Sequence, residues 1–380
     1  MSTATELDHL LAQRQQRLDI VATTRTPSGR TLDWIPIESQ TPDGEVASPP
    51  PARLPSGVRD PERPTQGVSF EAHDLTATER GPEGTVPVLR PEPEALSVGP
   101  KKGGLLVNRQ RAEGIIDLRD ETADPNPFRY FHCTASQSTT TYGLDTALNV
   151  WDPTVTGPGD DHSISQVWLQ NYDKPQSQSV EAGWTVDKSL NGDTIAHVFT
   201  YFTANGYSSD GDNVGGYNQL HKGWVQYDAN VHPGVRINGA STYGGGQLEV
   251  SIKFQLWQGN WWFSLQNIWL GYYPGTLFGG GIGDHVSWNG FGGEIYSSAA
   301  NPQTTNDQMG SGHKAEAGWT RAAYQRLLRL QTDRNGSMTN ATTLGTSTDT
   351  SSGASGNYDM TYTANGGNWG SYFFYGGPAA

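Results

Sequence analysis

The chain has 380 residues, with 25 Lys and Arg against 39 Asp and Glu, a formal net charge of −14. Charged residues are only 17% and apolar residues 34%, while Gly reaches 47 and the aromatics number 12 Trp, 16 Tyr and 11 Phe. That balance suits neither phosphate binding nor a helical bundle, no run of about 18 apolar residues offers a membrane-crossing helix, and an all-β chain with many glycine turns fits best.

The residues are unevenly spread. Positions 1–100 hold 14 of the 23 Pro but only one Trp, Trp34, and seven Gly. The front is a Pro-rich forepiece, and the remainder carries the core. Leu7, Leu10, Leu11 and Leu18 predict a short helix over 5–20. A turn at Pro27-Ser28-Gly29 leads into a strand through Leu32, Trp34 and Ile35 that ends near Pro36. Residues 42–64 read as a connector without a fold of its own, and 65–100 are weakly patterned. The boundary between the two parts falls within 100–128. The first 25 residues lack the basic-then-apolar pattern of a signal peptide. The compartment stays open, export by another route included.

Strands then recur. Residues 165–171, 179–186, 195–203 and 223–227 are rich in aromatic and β-branched side chains. Residues 247–258 alternate cleanly and turn at Gly259-Asn260 into 261–269, a hairpin. Further strands are expected at 285–288, 293–297 and 368–375. Residues 322–331 suit a strand or a helix, and 335–356 read as an exposed loop. This spacing predicts an antiparallel, jelly-roll-like β-sandwich.

Two glutamates stand out. Glu181, in Val180-Glu181-Ala182-Gly183-Trp184, and Glu294, in Gly292-Gly293-Glu294-Ile295-Tyr296, each have a glycine two residues away on the same strand face. A missing side chain there leaves room for a substrate backbone. If both face one cleft, two close carboxyls cannot both ionise cheaply, and one proton-bearing and one charged carboxyl can hydrolyse a bond with water. The plainer reading places each on a solvated strand face. Asp210-Gly211-Asp212-Asn213 reads as a turn, Asp160-Asp161-His162 and Asp284-His285 as loop polarity. Cys133, the single cysteine, reads as a buried thiol. Trp257, Trp261, Trp262 and Trp269 read as core and cleft lining, with a sugar platform as the alternative.

In order along the chain, V-E-A-G-W, G-G-E-I-Y and the ending N-W-G-S-Y-F-F-Y-G-G-P resemble the neprosin family of prolyl-cleaving glutamic peptidases. Ser165-Gln166-Val167-Trp168, Phe199-Thr200-Tyr201-Phe202-Thr203, Gly259-Asn260-Trp261-Trp262, Gly271-Tyr272-Tyr273-Pro274 and Gln308–His313 match too, so the resemblance covers about 128–377. Thr26–Trp34 (TPSGRTLDW) resembles the family's N-terminal activation segment. The resemblance implies a β-sandwich with a catalytic pair at Glu181 and Glu294. It also implies a propeptide over 1–127, removed on acidification, before a catalytic domain over 128–380. The cysteines that plant members carry near Gly216, His221 and Asn357–Asp359 are missing, which marks a bacterial-type member and leaves an oxidising compartment in doubt.

The expected activity is an acid-active endopeptidase made as a zymogen and cutting after proline. Gly183 and Gly292 admit the substrate, Tyr296 lines the cleft, and Trp184 and Tyr201 are its walls. The expected partner is a proline-containing peptide or protein, taken by a monomer without metal, cofactor, nucleic acid or membrane. A non-catalytic sandwich that binds carbohydrate or protein through an aromatic concave face is the alternative. A glycoside hydrolase is a third, since two carboxylates also suit a glycosidic bond.

Overall fold

A computed structural model describes residues 4–51, 66–98, 130–157, 161–171, 177–298, 306–348 and 357–378. The expected domain boundary at 100–128 and most of the connector lie outside these residues. The forepiece begins with helix α1 (Ala4–Gln16) and a three-stranded sheet of β1 (Ala22–Arg25), β2 (Thr31–Pro36) and β3 (Thr85–Leu89). Leu32, Trp34, Leu75 and Leu89 make one small core there, and Ile35, Val86 and Val88 another. Pro87 is tolerated because β3 pairs only with β2 and so forms an edge. The weak patterning of 65–100 hid this strand.

The body begins with β4 (Tyr130–Thr141), β5 (Gly143–Asn149), β6 (His162–Asn171), β7 (Gln178–Asp187), β8 (His197–Thr203), β9 (Gly215–Tyr217) and β10 (Val225–Gln226). It continues with β11 (Leu248–Trp257), β12 (Asn260–Leu265), β13 (Ile268–Pro274) and β14 (Val286–Tyr296). It ends with β15 (Ala323–Gln331), β16 (Gly345–Thr348), β17 (Asp359–Thr363) and β18 (Tyr372–Gly376). A seven-stranded sheet runs β9-β8-β7-β6-β14-β4-β16, and a ten-stranded sheet has the path β10-β13-β12-β11-β5-β15-β18-β17. The named neighbours are all antiparallel. The all-β sandwich read from the sequence is therefore the observed architecture.

The two sheets bury one face each against the other. Phe131, Val167, Val180, Ala182, Trp184 and Phe291 meet Leu144, Leu148, Val250, Phe254, Trp261 and Phe263 in one core cluster. Because side chains alternate along a strand, the residues between them must point away from the core. Glu181, Gln166 and Glu294 are such residues.

Several elements differ from expectation for local reasons. The segment 261–269 is two strands, because Gln266 and Asn267 at φ 49° and 65° close a second tight turn that lacks the usual glycine. The pieces 285–288 and 293–297 are one continuous strand, β14. Residues 322–331 form strand β15, with an irregularity where Leu327 sits at φ 55°. The loop expected over 335–356 contributes β16 to the edge of the seven-stranded sheet. The long strands β4 and β5 escaped notice, since the Ser/Thr-rich second half of β4 carries no apolar alternation.

The forepiece is stitched to the body. Gln66–Gly67 pairs with the start of β11, and Ser69–Phe70 pairs with Ile237–Asn238. Phe70 is fully buried in the body's own core cluster. Gln40 exchanges two 2.8 Å hydrogen bonds with the backbone of Gln226 on the edge strand β10. Buried Arg30 reaches from the forepiece to His197 Nδ1 at 3.2 Å and donates to the Gly234 carbonyl at 3.2 Å.

Candidate active site

Glu181 and Glu294 lie on one face of the seven-stranded sheet, the face turned away from the core. Register fixes their relation. Glu181 on β7 stands opposite Trp168 on β6, which stands opposite Gly290 on β14. Glu294 on β14 stands opposite Ile164, which stands opposite Thr185. The two glutamates are thus separated by one intervening strand and by four residues along the strand direction, about 10 Å across and about 13 Å along. The row between them is Gly183, Gln166, Gly292. Gln166 is its only side chain, in the row midway between those of the two glutamates.

All three are buried, Glu181 at 0%, Gln166 at 0% and Glu294 at 3% exposure. Buried carboxylates need hydrogen-bond partners, and both have them. Around Glu294, His162 Nε2 lies 3.1 Å from Oε1, while His132 Nε2 and Gln166 Nε2 each lie 3.1 Å from Oε2. Glu181 Oε1 accepts from the Tyr207 hydroxyl at 2.6 Å and from Ser179 Oγ at 2.8 Å. Gln170 in turn donates to the Tyr207 hydroxyl. Burial, and then the charge of Glu181, pushes the Tyr207 phenol well above its usual range, so it stays a donor. The Tyr217 phenol is pushed well up by burial, and the charges of Glu294 and Glu181 both add to that. One side chain therefore senses both carboxylates.

Support for this face comes from the opposite sheet. Gln325 on β15 donates through Nε2 to Ser165 Oγ at 3.1 Å and to the Gln166 and Gly292 carbonyls at 3.2 and 3.1 Å. Tyr375 adds a 2.7 Å bond to Ser165 Oγ. The strands under the middle row are thus pinned from behind.

Four expected roles are revised. A Cβ on Gly183 would lie 1.9 Å from the Ser165 carbonyl oxygen, and one on Gly292 would lie 2.1 Å from that of Cys133. Close approach of neighbouring strands is by itself enough to require these glycines. Trp184 points into the core, where its Nε1 donates to the Asn149 carbonyl at 3.0 Å. It cannot wall the cleft, because its position is even where the glutamate face is odd. Tyr201 is on the glutamate face but fully buried, stacked on Tyr207 and donating to Asp210 at 3.0 Å. Tyr296 is on the glutamate face, its ring 5.7 Å from His162 and 4.8 Å from Tyr130. The tryptophans expected to line the cleft belong to the ten-stranded sheet: Trp261 is in the core, and Trp262 packs outside under Val46 and Ala47 of the forepiece.

Sequence reasoning passed over His132, His162, Gln166 and Tyr207. His162, taken for loop polarity, opens strand β6 and is buried at 4%. The alternation of His162, Ile164, Gln166 and Trp168 was the available signal, because it puts a histidine and an amide on one face. Tyr207 gave none, since it reaches Glu181 from a loop. Cys133 is buried, with its thiol 3.4 Å from the Asp359 carbonyl. Among the described residues, no three His, Cys, Asp or Glu side chains are placed to hold a metal ion.

The sequence profile of the neprosin family matches residues 159–378. The chain belongs to the neprosin family of glutamic peptidases. Its match spans both glutamate motifs and begins just before β6. Solved structures with a weak likeness include scytalido-glutamic peptidase bound to a peptide-based transition-state analogue, at 8% identity and a TM-score of 0.35, covering 66% of this chain and 97% of that one. Another is an eqolisin-family peptidase bound to the tripeptide Ala-Ile-His, at 8% identity and a TM-score of 0.32, with the same coverage. At such scores neither carries weight for the site.

Proposed function

We propose that this protein is an acid-active glutamic endopeptidase that cuts after proline, with Glu181 and Glu294 as its catalytic pair and residues 1–127 as a propeptide ahead of the catalytic domain at 128–380. The observation that carries the reading is the shared face: both family-motif glutamates are buried on one side of one sheet, with Gln166 between them. A peptide laid across that row would lie between the two carboxyls.

The hydrogen bonds support one assignment of roles. The Gln166 amide N–H and two imidazole Nε2 atoms converge on Glu294, and with Nε2–H on both rings this suits an ionised, all-acceptor carboxylate. Glu294 takes a proton from water as the water oxygen attacks the carbonyl carbon. Glu181, in its protonated form, hydrogen-bonds the carbonyl oxygen and stabilises the charge that develops there. When the C–N bond breaks, the proton held by Glu294 passes to the leaving nitrogen and both carboxyls return to their starting states.

The zymogen part rests on Ala95. This forepiece residue is buried against Ile164, Phe199, Tyr201, Tyr207 and Tyr217, on the face that carries the glutamates. A substrate needs that surface uncovered. The test is to incubate the full chain with a peptide containing one internal proline, across pH 3 to 8, and to map products and forepiece by mass spectrometry. Cleavage on the carboxyl side of proline at acid pH, accompanied by loss of the forepiece, is expected. Intact peptide at every pH, or binding without cleavage, would favour the non-catalytic sandwich. Cuts unrelated to proline would remove the specificity assignment.

A further inference from the structure

The two histidines at Glu294 enter the reading above only as hydrogen-bond partners, and their charge is not used there. His132 faces it from β4 and is its direct cross-strand partner. His162 faces it from β6, in the adjoining row beside Tyr296. Each ring gives one Nε2 to one carboxyl oxygen, both at 3.1 Å, and both are buried, at 2% and 4%. Two imidazoles bracketing a single buried carboxyl, one per oxygen, exceed what its hydrogen bonding requires. Gln166 already supplies a donor, and an amide would serve for the others.

The surroundings specify what the imidazoles add. His162 Nδ1 lies 3.9 Å from Asp187 Oδ2 on β7. Tyr130 stacks over His132 with centroids 6.3 Å apart and tilts against His162 at 6.4 Å. Trp168 closes on His132 at 6.3 Å, and Tyr296 on His162 at 5.7 Å. Besides the histidines, the titratable groups on this face among the described residues include Glu294, Asp187, Glu181 and Asp210, with the phenols of Tyr130, Tyr201, Tyr207, Tyr217 and Tyr296. The phenols stay neutral in acid. Two protonated imidazoles would balance the two nearest carboxylates, Glu294 and Asp187, within a water-poor pocket.

We propose that His132 and His162 are positioning residues that carry positive charge onto Glu294 in acid, and so keep it able to accept the proton of the attacking water at pH values where a lone glutamate would be protonated. This rests on Glu294 being the general base. An acid-active enzyme with a carboxylate base meets a conflict, because the pH that protonates its acid also titrates its base. A cation on each oxygen relieves it, since opposite charge favours the ionised carboxylate. Asp187 steadies the outer side of His162 in the same way that a carboxylate orients a histidine elsewhere.

The test uses His132→Gln, His162→Gln and the double variant in the full chain, activated at acid pH. Gln keeps an Nε2–H near the original position and removes only the charge. The pH profile of kcat/KM is measured with a proline-containing peptide, alongside thermal unfolding to show that each variant folds. The acid limb is expected to move to higher pH by about one unit in each single variant, a tenfold loss at a fixed pH on that limb. It moves further in the double, and the alkaline limb stays in place. A uniform drop at all pH values, or an unmoved acid limb in folded protein, overturns the proposal. Glu294→Gln runs in parallel. If it retains activity, the failure lies with the base assignment and not with the histidines.

Discussion

Tyr207 donates to Glu181 Oε1 at 2.6 Å from a backbone held at φ 63°. A tyrosine in the left-handed region is costly, by about 1–3 kcal/mol, and such strain persists where surrounding contacts over-determine it. Here Thr203 Oγ1 accepts from the Tyr207 amide at 3.0 Å, and the ring stacks on Tyr201. The strain places a hydroxyl on a carboxyl of the proposed pair. Tyr207→Phe removes that hydroxyl and keeps the ring. With Glu181 protonated in the reaction, the hydrogen bond joins neutral groups and is worth about 0.5–1.5 kcal/mol, so kcat/KM should fall roughly 2- to 10-fold with the melting temperature little changed. Steady-state kinetics and thermal unfolding of the same sample check this.

Gln325 ties the sheets together beneath the middle row, through Ser165, Gln166 and Gly292. Gln325→Leu keeps most of the volume and leaves those acceptors short of a donor. The expected loss is about 1–3 kcal/mol in urea unfolding, with a matching drop in kcat as Gln166 loses its fixed position. An unchanged unfolding midpoint would mean that β6 and β14 hold their places without the clamp.

Acid should destabilise the fold around His232. His232 is buried, and its imidazole is pushed down to about 4 chiefly by burial, with Arg30 of the forepiece contributing. In an open chain it would titrate near 6.5. The folded state thus refuses a proton that the unfolded state takes up. Its stability is complete above about pH 6.5 and falls as the pH drops toward 4, by about 1.4 kcal/mol per unit. Asp210 opposes this: burial raises its carboxyl to about 6, so its contribution is full below the unfolded value near 3.9 and is lost as pH rises through 6. His232→Gln should flatten the decline in melting temperature between pH 6.5 and 4. A variant that melts with the wild-type pH dependence would assign acid lability to other groups.

Ala95 offers a direct handle on occlusion. Ala95→Glu drives a charge into the cluster of Tyr201, Tyr207 and Tyr217 and should lift the forepiece from the glutamate face. The uncleaved variant should cut peptide under acid conditions in which the uncleaved parent is silent. Forepiece length on a gel, read beside activity, separates lifting from removal.

Much of the fold was legible because alternation survives where a strand buries one face. β11 and β7 read cleanly for that reason. The Gln266-Asn267 turn did not, because its positive φ angles fall on residues without the glycine signal. At the site, the two glutamates stood out by their motifs. Their shared face could be seen only once register placed β6 between β7 and β14. Parity along β7 already separated Trp184 from Glu181, and a strict reading of alternation would have sent that tryptophan to the core. Tyr207 and Gln325 reach the site from a loop and from the opposite sheet. No spacing in the sequence encodes such contacts.

The account stands or falls on whether Glu181 and Glu294 act as one unit. The decisive measurement is kcat/KM of the acid-activated protein for a proline-containing peptide in Glu181→Ala, Glu294→Ala and the double variant. Residues that work as a unit are strongly non-additive. Each single variant should lose at least about 10³-fold, on the scale of general acid–base and electrostatic contributions, and the double should lose little more. Wild-type activity in either single variant, or losses that multiply in the double, would contradict a catalytic pair.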